Sequence, residues 1–316
     1  MRLLLIVNAS ASSVTARARV VIQKSLAADH EVSVAETSRR GHATRLAQGA
    51  VAKGTEAVVV LGGDGTLNEA ANGLAGSECA LGVLPGGSTN VFARTIGMTN
   101  DPIEATGELL AALGSGPGGI RTISVGNVNG RHFLFHVGVG FDAAVVAQVE
   151  KRSALKRYLG HAFFAYTAFD TWARHYDRRH PHFAAELHRR DGETVSVDDG
   201  YFAICLKTNP YTFLGERPFN VAPGTGLDTP LSVAVLRSIS AVNLLGLTAV
   251  ALRGGAGFSR HRKVSVVDDV VRAVISPYAP VPYQVDGDYL GDSEHLDFRW
   301  EPDHLRLIVP FLGGPG

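Results

Sequence analysis

An apolar strand that runs straight into glycine is the feature that most limits what this chain can fold into. Val58-Val59-Val60-Leu61 is followed by Gly62-Gly63-Asp64-Gly65-Thr66-Leu67-Asn68-Glu69. A short apolar run bounded by a turn reads as a strand covered on both faces, which belongs in a parallel sheet. Thr66 and Glu69 have the spacing of a capping box and predict a helix that starts at Thr66. Glycines let backbone N–H groups approach phosphate oxygens, and a helix start adds favourable partial charge. A carboxylate inside such a turn repels phosphate unless it holds a metal or a proton, so Asp64 points to Mg²⁺ or acid–base chemistry. A plain strand–turn–helix connection is the simpler alternative, but it needs fewer glycines than stand here.

A second turn has the same make-up. Leu81-Gly82-Val83-Leu84 runs into Pro85-Gly86-Gly87-Ser88-Thr89-Asn90 and then Val91-Phe92-Ala93-Arg94. Two such turns at the carboxyl ends of parallel strands fit the crevice in which open α/β sheets bind ligands. Neither contains the Gly-Lys-Ser/Thr of a Walker A loop, so a P-loop protein is excluded.

The surrounding residues supply the sheet. Leu3–Val7, Val32–Val34, Ala57–Leu61 and Leu81–Leu84 read as strands, and the segments 14–28, 41–53 and 67–74 between them are helix-compatible. Such alternation predicts a parallel sheet covered by helices. The run Gly114-Ser115-Gly116-Pro117-Gly118-Gly119 then breaks the pattern. Beyond it, short strand-like runs follow closely: 120–125, 131–140, 183–188, 200–207, 231–236, 264–267, 270–275, 295–300 and 305–309. Their spacing predicts an antiparallel sandwich, interrupted by helical stretches at 143–172, in two pieces, and at 241–252.

Charge and length remove other classes. Thirty Lys+Arg balance thirty Asp+Glu across 316 residues, so no whole-molecule field draws the chain to nucleic acid. Two distant cysteines, Cys79 and Cys205, make neither a zinc cluster nor a disulfide scaffold, and a reducing cytoplasm is expected. The apolar start Leu3–Val7 is too short for a signal peptide, and no run reaches the ~18–20 residues of a spanning helix. The stretch 154–172 nevertheless carries Leu155, Tyr158, Leu159, Phe163, Tyr166 and Phe169 at helical spacing, in a strongly basic neighbourhood. That combination suits either an anionic membrane surface or a core helix with a solvated basic flank.

Two further clusters stand out. Gly138-Val139-Gly140-Phe141-Asp142-Ala143 matches a dinucleotide pattern, but no acidic residue ends a strand about 20 residues on, so that reading is rejected. Asp142 is then either a carboxylate facing a cleft or a helix cap. His132 and His136 are expected to be core or interface histidines. Asp286-Gly287-Asp288 is either a pair of carboxylates aimed at one cavity or an ordinary hairpin turn.

With both glycine turns, Gly138–Asp142 and Gln284-Val285-Asp286-Gly287-Asp288 in this order, the chain resembles the diacylglycerol kinase catalytic domain family, related to sphingosine and ceramide kinases. The Gly-Gly-Asp-Gly turn alone is shared with NAD kinases and phosphofructokinases. The resemblance covers nearly the whole chain. It implies an α/β domain with a parallel sheet (NAD kinase/phosphofructokinase-like) over 1–119, completed by 303–316. It also implies a mostly antiparallel β-sandwich domain for the lipid over 120–302, with a cleft between the two.

The resemblance also implies roles. ATP phosphates would lie against Gly62, Gly63, Asp64, Gly65, Thr66 and Asn68, helped by Ser88. Asn8, Ser10 and Ser12 match the family's first nucleotide loop, although its Pro and Gly are missing, and Thr37 occupies a nucleotide-contacting position. Asp142 and Arg94 would face the substrate. Asp288 takes the general-base position, one methylene shorter than the usual Glu, with Asp286 and Asp64 organising Mg²⁺. A structural Mg²⁺ would sit at Asp228, in the loop Ala222–Leu231. The expected activity is transfer of the ATP γ-phosphate to a lipid hydroxyl, diacylglycerol to phosphatidic acid first. It would belong to a cytoplasmic protein that visits the membrane peripherally, with homodimerisation left open. A silent lipid- or nucleotide-binding regulator and an NAD kinase are the alternatives.

Overall fold

A computed structural model describes residues 1–151 and 166–310 of the chain. It divides into two compact units, Met1–Val125 with the chain from Glu301 on, and Gly126–Trp300. Both crossings fall inside strands, whereas the glycine run and residue 303 are where the sequence marks the breaks.

In the first unit β1 (Arg2–Val7), α1 (Ala16–Ala27), β2 (Glu31–Glu36), α2 (His42–Ala52), β3 (Ala57–Gly62), α3 (Asp64–Leu74), β4 (Ala80–Pro85), α4 (Val91–Thr95) and α5 (Pro102–Gly114) follow in order. The strands are parallel, with β3 between β1 and β4 and β2 at the edge. Every residue of β3 and β4 is buried, as an uninterrupted apolar run requires in a sheet covered on both faces. Helix α5 was not expected from the sequence. Its start is nonetheless marked: the Asp101 side chain accepts the N–H groups of Ile103 and Glu104, and Pro102 opens the helix.

The second unit is mostly antiparallel. It contains the rest of β5 (Ile120–Val128), then β6 (Arg131–Phe133), β7 (His136–Gly140), α6 (Phe141–Lys151), β8 (Phe183–Arg189), β9 (Thr194–Gly200) and β10 (Phe202–Leu206). The short β11 (Thr212–Leu214) and β12 (Arg217–Phe219) pair with each other. After them come β13 (Leu231–Leu236), α7 (Ala241–Leu252), β14 (Val264–Pro277), β15 (Val281–Val285), β16 (Asp288–Ser293) and β17 (Leu296–Ile308). The order β16-β15-β7-β10-β13-β14 forms one run of neighbours. The long β14 pairs with β13 along its first half and with β8 and β17 along its second. This change of partners encloses a core that includes Phe133, Phe183, Phe298, Val137, Val233 and Val285. A second core lies on the other face of β10 and β13, where Ile204, Leu206, Ala234 and Leu236 meet Leu247 and Ala251 of α7.

The structure departs from the sequence reading where one run proves to be two strands, or two runs one strand. The run 131–140 breaks after Phe133, and β14 joins 264–267 to 270–275 through a register shift at its pairing with β13. The two terminal runs are a single strand, β17. Of the basic aromatic stretch, Leu155, Tyr158, Leu159 and Phe163 lie outside the described residues. Tyr166 and Phe169 are exposed (58% and 65%), and Trp172 donates its indole N–H to Ile239 O at 2.7 Å. No helix among the described residues is long and apolar enough to cross a membrane.

Candidate active site

In the first unit, β1, β3 and β4 end side by side, with Val7 opposite Leu61 and Gly62 opposite Pro85. Three loops therefore leave the sheet together, and backbone bonds tie them to one another. Asn8 N–H donates to Leu61 O at 3.0 Å, Gly86 N–H to Gly62 O at 2.8 Å, and Ser13 N–H to Gly86 O at 2.9 Å. Side chains add to this: Asn8 Nδ2 donates to Thr66 Oγ1 at 2.9 Å, and the Ser13 hydroxyl to Gly87 O at 3.1 Å.

The glycines here are needed for closeness, not for unusual dihedral angles. A Cβ on Gly86 would lie 2.8 Å from Gly62 N, and one on Gly87 would lie 2.8 Å from Gly63 Cα. Any side chain at either position would drive the first and second turns apart. Ser10, Ser12 and Ser88 are exposed on these loops, while Gly63, Asp64, Gly65 and Thr66 are half-buried. Half-buried Thr37 donates its N–H to Val7 O at 2.9 Å, which fixes it beside the end of β1.

Three expectations for this unit change. Helix α3 starts at Asp64 with Gly63 as its cap, not at Thr66. Glu69 makes no capping box: its carboxylate accepts the N–H groups of Gly41 (2.7 Å) and Ala43 (3.1 Å) and so caps α2 instead. Asp64 has a structural role in this unit, since its oxygens accept the N–H groups of Val91 (3.0 Å) and Phe92 (3.1 Å) at the start of α4. Asn68 also differs from expectation, being 1% exposed within α3, where Asn72 donates to it. Arg94 stands half-buried in the last turn of α4.

The other expected carboxylates lie in the second unit. Asp286 and Gly287 have φ values of +48° and +83°, and Val285 pairs with Asp288. Asp-Gly is thus the two-residue turn of the β15–β16 hairpin, in the doubly left-handed form that favours these residues. The Asp286 side chain, 2% exposed, accepts the N–H groups of Leu134 (2.8 Å), Phe135 (3.0 Å) and His136 (3.0 Å). These bonds turn the chain between β6 and β7, which is why the run 131–140 is not one strand. They also occupy the oxygens that a metal would need, so Asp286 does not fit a direct Mg²⁺ ligand. Asp288, the first residue of β16, is half-buried. Its neighbour Tyr289 donates its N–H to Glu150 Oε1 at 3.1 Å, tying the hairpin to the end of α6.

Asp142 opens α6 but is buried and bonded, where a substrate-facing carboxylate was expected. It accepts the hydroxyl of Tyr211 and, at 2.7 Å, the Gln284 amide. A side chain on Gly138 would collide with this carboxylate. Burial raises the Asp142 carboxyl above the usual range, while the two hydrogen bonds act the other way. Tyr211 rises well above 10 through burial and the Asp142 charge. His136 lies against Tyr211, with ring centroids 4.3 Å apart, and burial lowers it to about 3, so it is neutral.

The last expected site is the loop Ala222–Leu231. Asp228 is exposed there, and the buried Lys207 reaches the same loop. Burial pulls the Lys207 ammonium down to about 7, against the opposing charge of Asp228. Sequence reasoning missed Lys207, Tyr211 and Gln284. Lys207 had a visible signal: it continues the alternation Ala203, Cys205 on the inward face of β10.

A parallel α/β unit with three touching loops, two of them glycine turns, in one chain with an antiparallel β unit, defines the class of kinases built on a Gly-Gly-Asp-Gly turn. The model of the "Diacylglycerol kinase catalytic domain" family matches residues 2–127. A Bacillus subtilis protein named "Diacylglycerol kinase" is 38% identical over 295 residues, 92% of this chain and 89% of that one. A Pseudomonas aeruginosa "Probable lipid kinase YegS-like" is 29% identical, over 72% and 78% of the two chains. A crystal structure of a diacylglycerol kinase from Bacillus anthracis superposes with a TM-score of 0.74 at 22% identity, over 98% of this chain and 97% of that one. The chain belongs to the diacylglycerol kinase catalytic domain family, a family of lipid kinases.

Proposed function

We propose that the chain transfers the γ-phosphoryl group of Mg·ATP to a lipid hydroxyl, with diacylglycerol as acceptor and phosphatidic acid as product. The observation that carries this reading is the close packing of Gly62-Gly63 against Gly86-Gly87, which leaves only backbone where phosphate oxygens would approach. The start of α3 lies in the same turn, and the first N–H groups of a helix have no acceptor within it. Asn8, Ser10, Ser12, Thr37 and Ser88 surround that position in the same unit and are the proposed nucleotide contacts. Asp64 serves by holding α4 against the first turn.

In the reaction, Asp288 accepts the proton of the lipid hydroxyl as its oxygen attacks the γ-phosphorus. The bond to the bridging oxygen breaks and ADP leaves. Of the two hairpin carboxylates, Asp288 is the one with solvent access, which favours it over Asp286 as base. The cation arrives with the nucleotide as part of the substrate. Exposed Tyr166 and Phe169, with Arg174 and Arg178 nearby in sequence, suit brief contact with an anionic bilayer from the cytoplasmic side.

A binder without turnover is the second reading. It is favoured by Asp64 and Asp286, whose oxygens are engaged by backbone N–H groups. Labelled γ-phosphate transfer to diacylglycerol, monoacylglycerol, ceramide, sphingosine and undecaprenol in mixed micelles, with NAD as soluble control, separates the readings. Label on one lipid supports the kinase. Measurable ATP binding with label on none supports the silent binder.

A further inference from the structure

The loop Ala222–Leu231 is where the family resemblance implies a structural Mg²⁺, at Asp228. The carbonyls of Gly226 and Leu227, next to that carboxylate in the chain, are already engaged by a side chain. Lys207 follows directly on β10, its backbone N–H donating to Phe135 O at 2.8 Å, and its side chain is 1% exposed. From there Nζ donates to Gly226 O at 2.7 Å and to Leu227 O at 3.1 Å. Further hydrogen bonds brace the loop. Gly226 N–H donates to Thr229 Oγ1 at 2.9 Å, and the Thr225 hydroxyl donates to Ser232, which donates to Asp268, both at 2.6 Å.

Mg²⁺ demands near-octahedral oxygen ligands at about 2.1 Å. The two carbonyls that precede Asp228 in the chain, those of Gly226 and Leu227, both accept from an ammonium group. A divalent ion on the same oxygens would sit against that positive charge in a poorly screened interior, where like charges repel strongly. The Gly226 and Leu227 oxygens, held by the ammonium group, therefore do not fit the metal.

We propose that Lys207 is the built-in cation of this loop. An ammonium group tethered to β10 pins residues 226 and 227 beside the Asp228 carboxylate, and the folded chain takes no divalent ion there. The inference concerns the second unit alone and does not depend on the chain being a kinase.

The test is thermal unfolding of the whole chain without nucleotide, in metal-stripped buffer and in excess Mg²⁺, for the wild type, Lys207→Met and Asp228→Asn. The expected result is one wild-type midpoint in both buffers, and a midpoint lowered by about 4 °C or more in Lys207→Met. The proposal is overturned if the wild-type midpoint falls on stripping, recovers with Mg²⁺, and loses that response in Asp228→Asn. It is equally overturned if Lys207→Met melts with the wild type. Should that variant not fold, the comparison of wild type and Asp228→Asn still decides whether a metal sits in the loop.

Discussion

The Asp64 carboxylate joins the two glycine turns: it belongs to the first, and its Oδ2 accepts the N–H of Val91, just past the second, at 3.0 Å. The carboxylate inside the first glycine turn therefore finds its partners in a helix start. Removing it leaves two N–H groups of α4 without their acceptor. Asp64→Ala is expected to cost about 1–2 kcal/mol of stability, the usual loss for a deleted cap. It should also weaken nucleotide binding, since the second turn loses its hold on the first. Denaturant unfolding and calorimetric ATP titration check the two effects separately.

Packing of the turns gives a sharper contrast among glycines. A methyl on Gly86 would lie 2.8 Å from Gly62 N, whereas one on Gly107, exposed in α5, meets nothing within 4 Å. Gly86→Ala should destabilise by about 1–3 kcal/mol through overpacking and abolish measurable ATP binding. Gly107→Ala should stabilise by about 0.5–1 kcal/mol, because alanine favours helix and has nothing to collide with. Melting curves of both variants check the signs.

The contrast shows what the sequence carried and what it did not. Val58–Leu61 and Leu81–Leu84 announced fully buried parallel strands because uninterrupted apolar runs have few other uses. The glycine turns were legible for the same reason, in that their density exceeds what a turn needs. What Asp64, Asp142 and Asp286 bond to was not legible. A carboxylate looks the same in a sequence whether it faces a ligand or a row of backbone N–H groups, and the partners of Asp286 lie some 150 residues away. The start of α3 was misread because Glu69 matches a capping box locally while its acceptors serve α2.

The two hairpin carboxylates should separate cleanly. Asp286→Ala leaves three buried N–H groups without an acceptor and is expected to cost about 3 kcal/mol or more. Asp288→Asn, at a half-buried position, should change stability by no more than about 0.5 kcal/mol. Chemical denaturation of the two variants side by side gives the comparison. Equal losses would mean that the hairpin does not divide labour in this way.

Acid sensitivity follows from His136. Burial lowers its pKa to about 3, against about 6.5 when unfolded, so between these values the unfolded chain binds the extra proton. Stability from this group is full above about pH 6.5 and is lost as pH falls towards 3. Asp142 acts with the opposite sign: its raised pKa contributes stability at low pH that is lost as pH rises through the folded value. The difference between wild type and His136→Gln isolates the first effect. Unfolding midpoints from pH 4 to 7 should rise more steeply with pH in the wild type.

The account rests most heavily on phosphoryl transfer with Asp288 as the base, and one measurement reaches it directly. Transfer of labelled γ-phosphate from Mg·ATP to diacylglycerol is followed for wild type and Asp288→Asn, with ATP affinity measured on the same preparations. The predicted result is labelled phosphatidic acid with the wild type, a rate lower by about 100-fold or more in the variant, and unchanged ATP affinity. Equal rates in the two proteins would contradict the assignment of the base. Bound ATP with no labelled lipid from the wild type would contradict the kinase reading itself.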